Sequence, residues 1–233
     1  MGNGSCWLRL AIQNNVNWCD FVAKLHGVET CFTEQIWRSS LEMPELFPHL
    51  ITLQSGIPEA LLSEMIEQHN VHFIKDSFAD LDLTRQGFTK FVDAHWYIAT
   101  APTTPREKQQ VVMARCYELT RAADLTRWEE LLRGNKISEP IYPETFLSEP
   151  RVKFFTAEKD ALQAGLSCFC DDQTVGIYNL WGDESLYQAL LEKVFDTFPN
   201  KAIVGYGDQS EAQVLQILGF DILTPVSIWG KFF

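Results

Sequence analysis

Two segments of this chain can be laid over each other without a gap, and that similarity constrains the fold more than any other feature. They are "VHFIKDSFADLDLTRQGF" (71–88) and "IVGYGDQSEAQVLQILGF" (203–220). The overlay sets Asp76 on Asp208, Leu83 on Leu215, and Gly87-Phe88 on Gly219-Phe220. A strand pattern and an amphipathic helix pattern precede each copy. A β-rich segment follows each, with Trp96 or Trp229 near its end. Two copies of one element order predict a duplicated unit.

The rest of the pattern fits around that repeat. "WLRLAIQNN" reads as an opening strand and "NWCDFVAKLHGV" as a helix. "HLITLQ" reads as a short strand, and "PEALLSEMIEQHN" carries Leu61, Leu62, Met65, Ile66 and His69 on one helical stripe, with Pro58 suited to its first turn. "TAPTTPR" is a linker signal. Residues 106 to 133 read as helix in two pieces, with Asp124 as the N-cap of the second. "NKISEPIYPETFLSEP" holds three prolines and cannot be one regular element. "AGLSCFC" and "TVGIYNLW", separated by "DDQ", read as a hairpin. After Gly182, Leu186, Leu190, Val194 and Phe198 recur four apart on one helix face. "KAIVGYG", "SEAQVLQIL" and "GFDILTPVSIWGKFF" close the chain as strand, short helix and β segment. The divisions expected are an N-terminal lobe over 1–100, a linker and helical connection over 101–150, and a C-terminal lobe over 151–233.

Charge and cysteine usage narrow the partners. The formal net charge is −12, which removes the electrostatic attraction on which nucleic-acid and anionic-membrane binding depend. The same balance is compatible with an amine-bearing small molecule or peptide. No run approaches the ~20 apolar residues of a membrane span. The start "MGNGSCWLRLAIQ" shows no secretory signal, and Cys6 stands where a myristoylation pattern takes Ser or Thr. The six cysteines follow no disulfide-framework spacing, so the expected compartment is the cytoplasm, with reduced thiols packed as small apolar groups. His69 ends a helix pattern and His72 begins a strand, so their spacing points to no metal.

The residues "TVGIYNLWG", "LYQALLEKVF", "KAIVGYGD" and "EAQVLQILGFDIL" occur in an order that resembles the GNAT superfamily of N-acetyltransferases. The resemblance covers the last third of the chain and, through the repeat, extends to the first hundred residues. It implies an α+β fold with mixed, mostly antiparallel sheets flanked by helices, present as two GNAT-like lobes in tandem. It also implies acetyl-CoA as cofactor, with an acyl group passed to an amine. The family holds the cofactor's pyrophosphate on a turn of the form Arg/Gln-x-x-Gly-x-Gly/Ala. The matching turn here is Leu180-Trp181-Gly182-Asp183-Glu184-Ser185, which lacks the leading Arg or Gln and the second small residue. The first-half turn is Gln54-Ser55-Gly56-Ile57-Pro58. Carboxylates in a helix's first turn satisfy its free N–H groups and oppose a second anion.

The family's Asn and proton-donating Tyr correspond to Asp208 and Leu215, and in the first half to Asp76 and Leu83. Tyr206, two residues before Asp208, is the nearest substitute hydroxyl, so Tyr206 and Asp208 are the candidate catalytic pair. An amine acceptor also needs a base, because at a pKa of ~10.4 only about one in two thousand is neutral near pH 7. Two readings stay open: an acetyl-CoA-dependent N-acetyltransferase with an atypical cofactor loop, and a GNAT-like protein without catalysis that serves as a ligand-binding or regulatory module. Oligomeric state is not legible in the sequence.

Overall fold

The computed structural model describes residues 3–100 and 114–231. Residues 101–113, which hold most of the expected linker "TAPTTPR" and the start of the first helical piece, lie outside the described residues. Packing divides the chain into two units that interleave along the sequence. Unit 1 comprises Met1–Trp96, Tyr206–Ala212 and Ile222–Phe233, and unit 2 comprises Tyr97–Gly205 and Gln213–Asp221.

Unit 1 begins with a single helix α1 (Asn3–Leu25), where the sequence suggested a strand followed by a helix. The reason is periodic. Ala11, Asn15, Trp18 and Val22 form one buried stripe, and Ile12, Val16, Cys19 and Ala23 form the next. Spacings of four, three and four residues put each set on a helical face, whereas a strand would need alternation. Trp37 Nε1 donates to Asp20 on this helix at 3.2 Å. Strands β1 (Thr30–Phe32), β2 (Ile36–Ser39), β3 (Leu50–Thr52) and β4 (Phe73–Asp76) follow, with α2 (Glu59–His69) crossing between β3 and β4. β1–β2 and β2–β3 are antiparallel. β3–β4 is parallel, as a helical crossover requires, and β4 pairs antiparallel with β11 (Asp221–Gly230). Leu62 and Ile66 of α2 are buried with Ile36, Leu50, Ile74, Leu83, Phe88 and Trp229 in one apolar core. β5 (Thr89–Ala99) carries the "HWYIA" run.

In unit 2, Arg115–Glu118 is strand β6, a correction to the helix expected over 106–133. It pairs antiparallel with β7 (Val152–Lys159), so ladder bonds decide a stretch too short for helical periodicity to settle. Helix α3 (Ala122–Arg133) starts before Asp124, which lies in its first turn and holds Arg121 at 2.7 Å. β7, β8 (Leu162–Cys170) and β9 (Thr174–Gly182) form an antiparallel meander. Helix α4 (Tyr187–Thr197) then leads to β10 (Ala202–Asp208), which pairs parallel with β9. Helix α5 (Gln209–Ile217) precedes β11.

The proline-rich stretch after α3 is anchored by Glu129. Its buried carboxylate accepts from the amides of Ile141 (2.9 Å) and Tyr142 (3.1 Å) and from Arg133 Nη1 (3.1 Å). A charge removed from water is tolerable only with such partners.

The overlaid segments share local geometry as well as sequence. The Gly87 amide donates to Thr84 O and the Phe88 amide to Leu83 O, each at 3.1 Å; the Gly219 amide donates to Gln216 O at 3.1 Å and the Phe220 amide to Leu215 O at 2.9 Å. Gly87 and Gly219 take φ of 82° and 100°, the left-handed conformation in which helices end most easily on glycine.

Candidate functional site

The strand-turn-helix joint of β9 and α4 lies wholly in unit 2. Val175 and Ile177 are buried along β9, and Leu186, Leu190, Leu191 and Val194 bury one face of the helix. Between them Gly182 has φ +97°. A Cβ there would fall 2.2 Å from Gln163 O and 2.6 Å from Ala164 Cα. The glycine is therefore required by the close approach of β8, whatever the turn binds.

Most of the turn's donors are engaged within the fold. The Asp183 amide donates to Gln163 O (3.0 Å), the Leu186 amide to Asp183 O (3.0 Å), and the Tyr187 amide to Glu184 O. The Ser185 amide donates to Asp183 Oδ1 at 3.0 Å, and its hydroxyl donates to the same oxygen. The hydroxyl bond and then the amide bond hold the Asp183 carboxyl below the usual range, keeping it ionised. This carboxylate caps the short 3-10 turn Glu184–Leu186 that leads into α4. In unit 1 the comparable turn also uses an internal anion, with the Gly56 amide donating to Asp80 Oδ2 at 2.8 Å.

Just before the turn, β9 is irregular. Gly165 pairs with Trp181 while Ser167 pairs with Tyr178, so β9 carries one extra residue. Asn179 sits in this bulge at φ +53°. Its Nδ2 donates to Tyr142 Oη at 2.6 Å and Ser167 Oγ at 3.1 Å. Among the described residues the parallel β9–β10 register runs from Ala202↔Thr174 to Val204↔Gly176, while β9 continues to Gly182. At the end of that ladder, a Cβ on Gly205 would meet Tyr97 Oη at 2.6 Å and Ile177 O at 2.7 Å. Trp181 packs on Trp128 (centroids 6.1 Å apart), an approach made possible by Gly165. The Trp181 indole N–H is buried with no acceptor among the described residues.

Of the residues singled out from sequence, Leu180 through Ser185 are brought together in this joint. Tyr206 and Asp208 belong to unit 1. Asp208 is exposed and caps α5, accepting from the amides of Glu211 and Ser210, each at 2.9 Å, and from the Ser210 hydroxyl at 2.7 Å. The bond from the Glu211 amide, followed by those from Ser210, lowers its pKa. Tyr206 turns its ring toward Trp96 and Lys75. Leu83 and Leu215 are fully packed in their cores, so neither position offers a hydroxyl. Asn179, Tyr97 and Trp181's unpartnered N–H were not legible as site features. Their signals were faint: a lone Asn inside a strand and a glycine at 205 in another.

No protein-family model matches the sequence, and no curated protein matches it. Solved structures do. A GCN5-related N-acetyltransferase from Kribbella flavida superposes with a TM-score of 0.60 at 10% identity, covering 94% of this chain and 95% of that one. A GNAT-family protein from Novosphingobium aromaticivorans gives a TM-score of 0.51 at 11% identity, covering 93% and 96%. A conserved protein of unknown function from Staphylococcus epidermidis gives 0.59 at 8%, covering 87% and 93%. At these identities the likeness is one of fold: the chain has the mixed, mostly antiparallel architecture of the GNAT proteins. No helix among the described residues is long and apolar enough to cross a membrane.

Proposed function

We propose that this chain is an acetyl-CoA-dependent N-acetyltransferase that holds its cofactor along the free edge of β9. The carrying observation is the bulge at Asn179 together with the early end of the β9–β10 ladder. An extended arm bearing amides can add to such an edge as a strand would. The turn itself contributes little, because most of its donors are engaged within the fold and the Asp183 carboxylate would repel a pyrophosphate.

Acyl transfer requires a neutral amine to attack the thioester carbonyl, the C–S bond to break and the departing thiolate to gain a proton. Tyr97 carries the phenol beside the end of the ladder and is the proton donor within unit 2. Tyr206, with Asp208, is the competing donor in unit 1. The two-lobed origin suggested by the repeat, and a cytoplasmic setting for an acidic amine-binding protein, belong to the same reading. A second reading, a GNAT-fold ligand-binding module without catalysis, is favoured by one observation: the internally satisfied turn.

Isothermal titration with acetyl-CoA decides between them. A Kd of ~100 μM or tighter, about 5.5 kcal/mol, supports the transferase, and absence of heat at millimolar cofactor sinks it. With binding established, Tyr97→Phe should lower turnover at least ~10-fold while Tyr206→Phe leaves it unchanged; the opposite pattern moves the proton donor to Tyr206.

A further inference from the structure

The parallel pairing of β3 and β4 brings together two histidines far apart in sequence. His49 immediately precedes β3 and His72 immediately precedes β4, and the register sets Leu50 opposite Ile74. The His49 amide donates to Phe73 O at 2.9 Å, which fixes the two strand starts against each other. The imidazole rings lie 5.6 Å apart between centroids. Glu42, in the loop between β2 and β3, completes the group: one donor atom from each of Glu42, His49 and His72 lies within 4.8 Å of the others.

We propose that Glu42, His49 and His72 form a binding site for a divalent transition-metal ion of the Zn2+ class. Two imidazoles and one carboxylate suit that class, and they leave a fourth position of a tetrahedron open to solvent or a ligand. His49 is buried, and its Nδ1 has no hydrogen-bond partner among the described residues. Such an orphaned ring nitrogen costs free energy unless something satisfies it, and a bound ion is one thing that does. The His49 ring is held by stacking on Phe73, with centroids 5.9 Å apart and planes at 13°. Metal–ligand bonds of about 2.0–2.2 Å need donors about 3.4 Å apart, so the site tightens on binding. The exposed Glu42 side chain supplies that movement, while His49 stays fixed. The bound ion would tie the loop carrying Glu42 to the starts of two strands. The proposal is independent of the acyltransferase reading, since Glu42, His49 and His72 all belong to unit 1 and none of them enters that reading.

The test is calorimetric titration of the full chain, freed of metal with a chelator, with Zn2+, alongside visible absorption with Co2+. One equivalent of Zn2+ should bind with a Kd of about 10 μM or tighter, and Co2+ should show the intense bands of a tetrahedral site. Glu42→Gln, which changes an exposed side chain and spares the fold, should weaken binding at least ~10-fold, as should His72→Ala; changes in outer-shell groups alone weaken metal sites 10–100-fold. His69→Ala should leave affinity unchanged. Absence of saturable Zn2+ binding, or an affinity untouched by both Glu42→Gln and His72→Ala, overturns the assignment.

Discussion

The ammonium of Lys75 lies 3.8 Å from the centroid of the Tyr206 ring, and it donates to Asn15 Oδ1 at 2.9 Å. Lys75 is 1% exposed, so its charge is removed from water and these two groups compensate it. The π face does this work, which separates ring from hydroxyl experimentally. Tyr206→Phe should change stability by less than ~0.5 kcal/mol, whereas Tyr206→Leu should cost about 1–3 kcal/mol by leaving the ammonium under-compensated. Urea unfolding of both variants measures this. Equal losses would show that the ring's charge distribution is not what holds Lys75.

Gly182 is a poor probe of cofactor binding. Any side chain there meets β8 backbone at 2.2 Å in a conformation that disfavours L residues, so Gly182→Ala should cost roughly 2–4 kcal/mol before any ligand is considered. The informative change is Asp183→Asn, which keeps an N-cap acceptor and removes the charge. It should tighten acetyl-CoA binding by roughly 3–10-fold with little change in Tm. Unchanged affinity would mean that the pyrophosphate does not approach this turn.

Asn179 combines a left-handed backbone with two side-chain bonds. Asn179→Gly keeps the backbone comfortable and loses the bonds; Asn179→Ala loses both. The alanine variant should therefore be the less stable by about 1 kcal/mol, read as the lower Tm of the two. The reverse order would mean that the bulge relaxes when its side chain is gone.

The cysteines should divide by environment. Burial pushes the Cys19 thiol up to about 11, although nearby Lys75 pulls it down, and burial does the same to Cys116. Cys6 and Cys31 are exposed. At pH 8 a thiol of that pKa is roughly one part in a thousand thiolate, so iodoacetamide should label Cys6 and Cys31 in the folded protein and reach Cys19 only after unfolding. The folded state keeps its proton on Cys19 after the unfolded chain has begun to lose it, so stability is full below about pH 8.5 and falls as pH rises toward 11. Chemical denaturation at pH 7 and pH 10 should show the loss, and Cys19→Ser should flatten its pH dependence.

Much of the fold was legible where one periodicity dominates a segment. The stripe of Leu62 and Ile66, the hairpin across Asp171–Gln173 and the strand-turn-helix at Gly182 all stand where the pattern put them. The ungapped overlay proved informative beyond element order, because Leu83 and Leu215 accept matching bonds before matching glycines. Misreadings came where the local pattern was ambiguous. "WLRLAIQNN" alternates briefly like a strand, but only the longer stripe through Ala23 shows a helix. "RCYE" has no periodicity of its own, and its partner β7 makes it a strand.

The sequence by itself determined the order of elements from β8 to β11, the acidic charge balance and the absence of a tyrosine at Leu83 and Leu215. These depend on residue identity and spacing along the chain, which local physics reads directly. Tertiary structure alone decided how the candidate site is built. Gly182 clears the backbone of β8, Asn179 sits in the bulge of β9 and Asp183 takes the Ser185 amide and hydroxyl. The pairing of β3 with β4 sets His49 beside His72. Each of these depends on which strands become neighbours, a choice made by burial and hydrogen bonding across the whole chain.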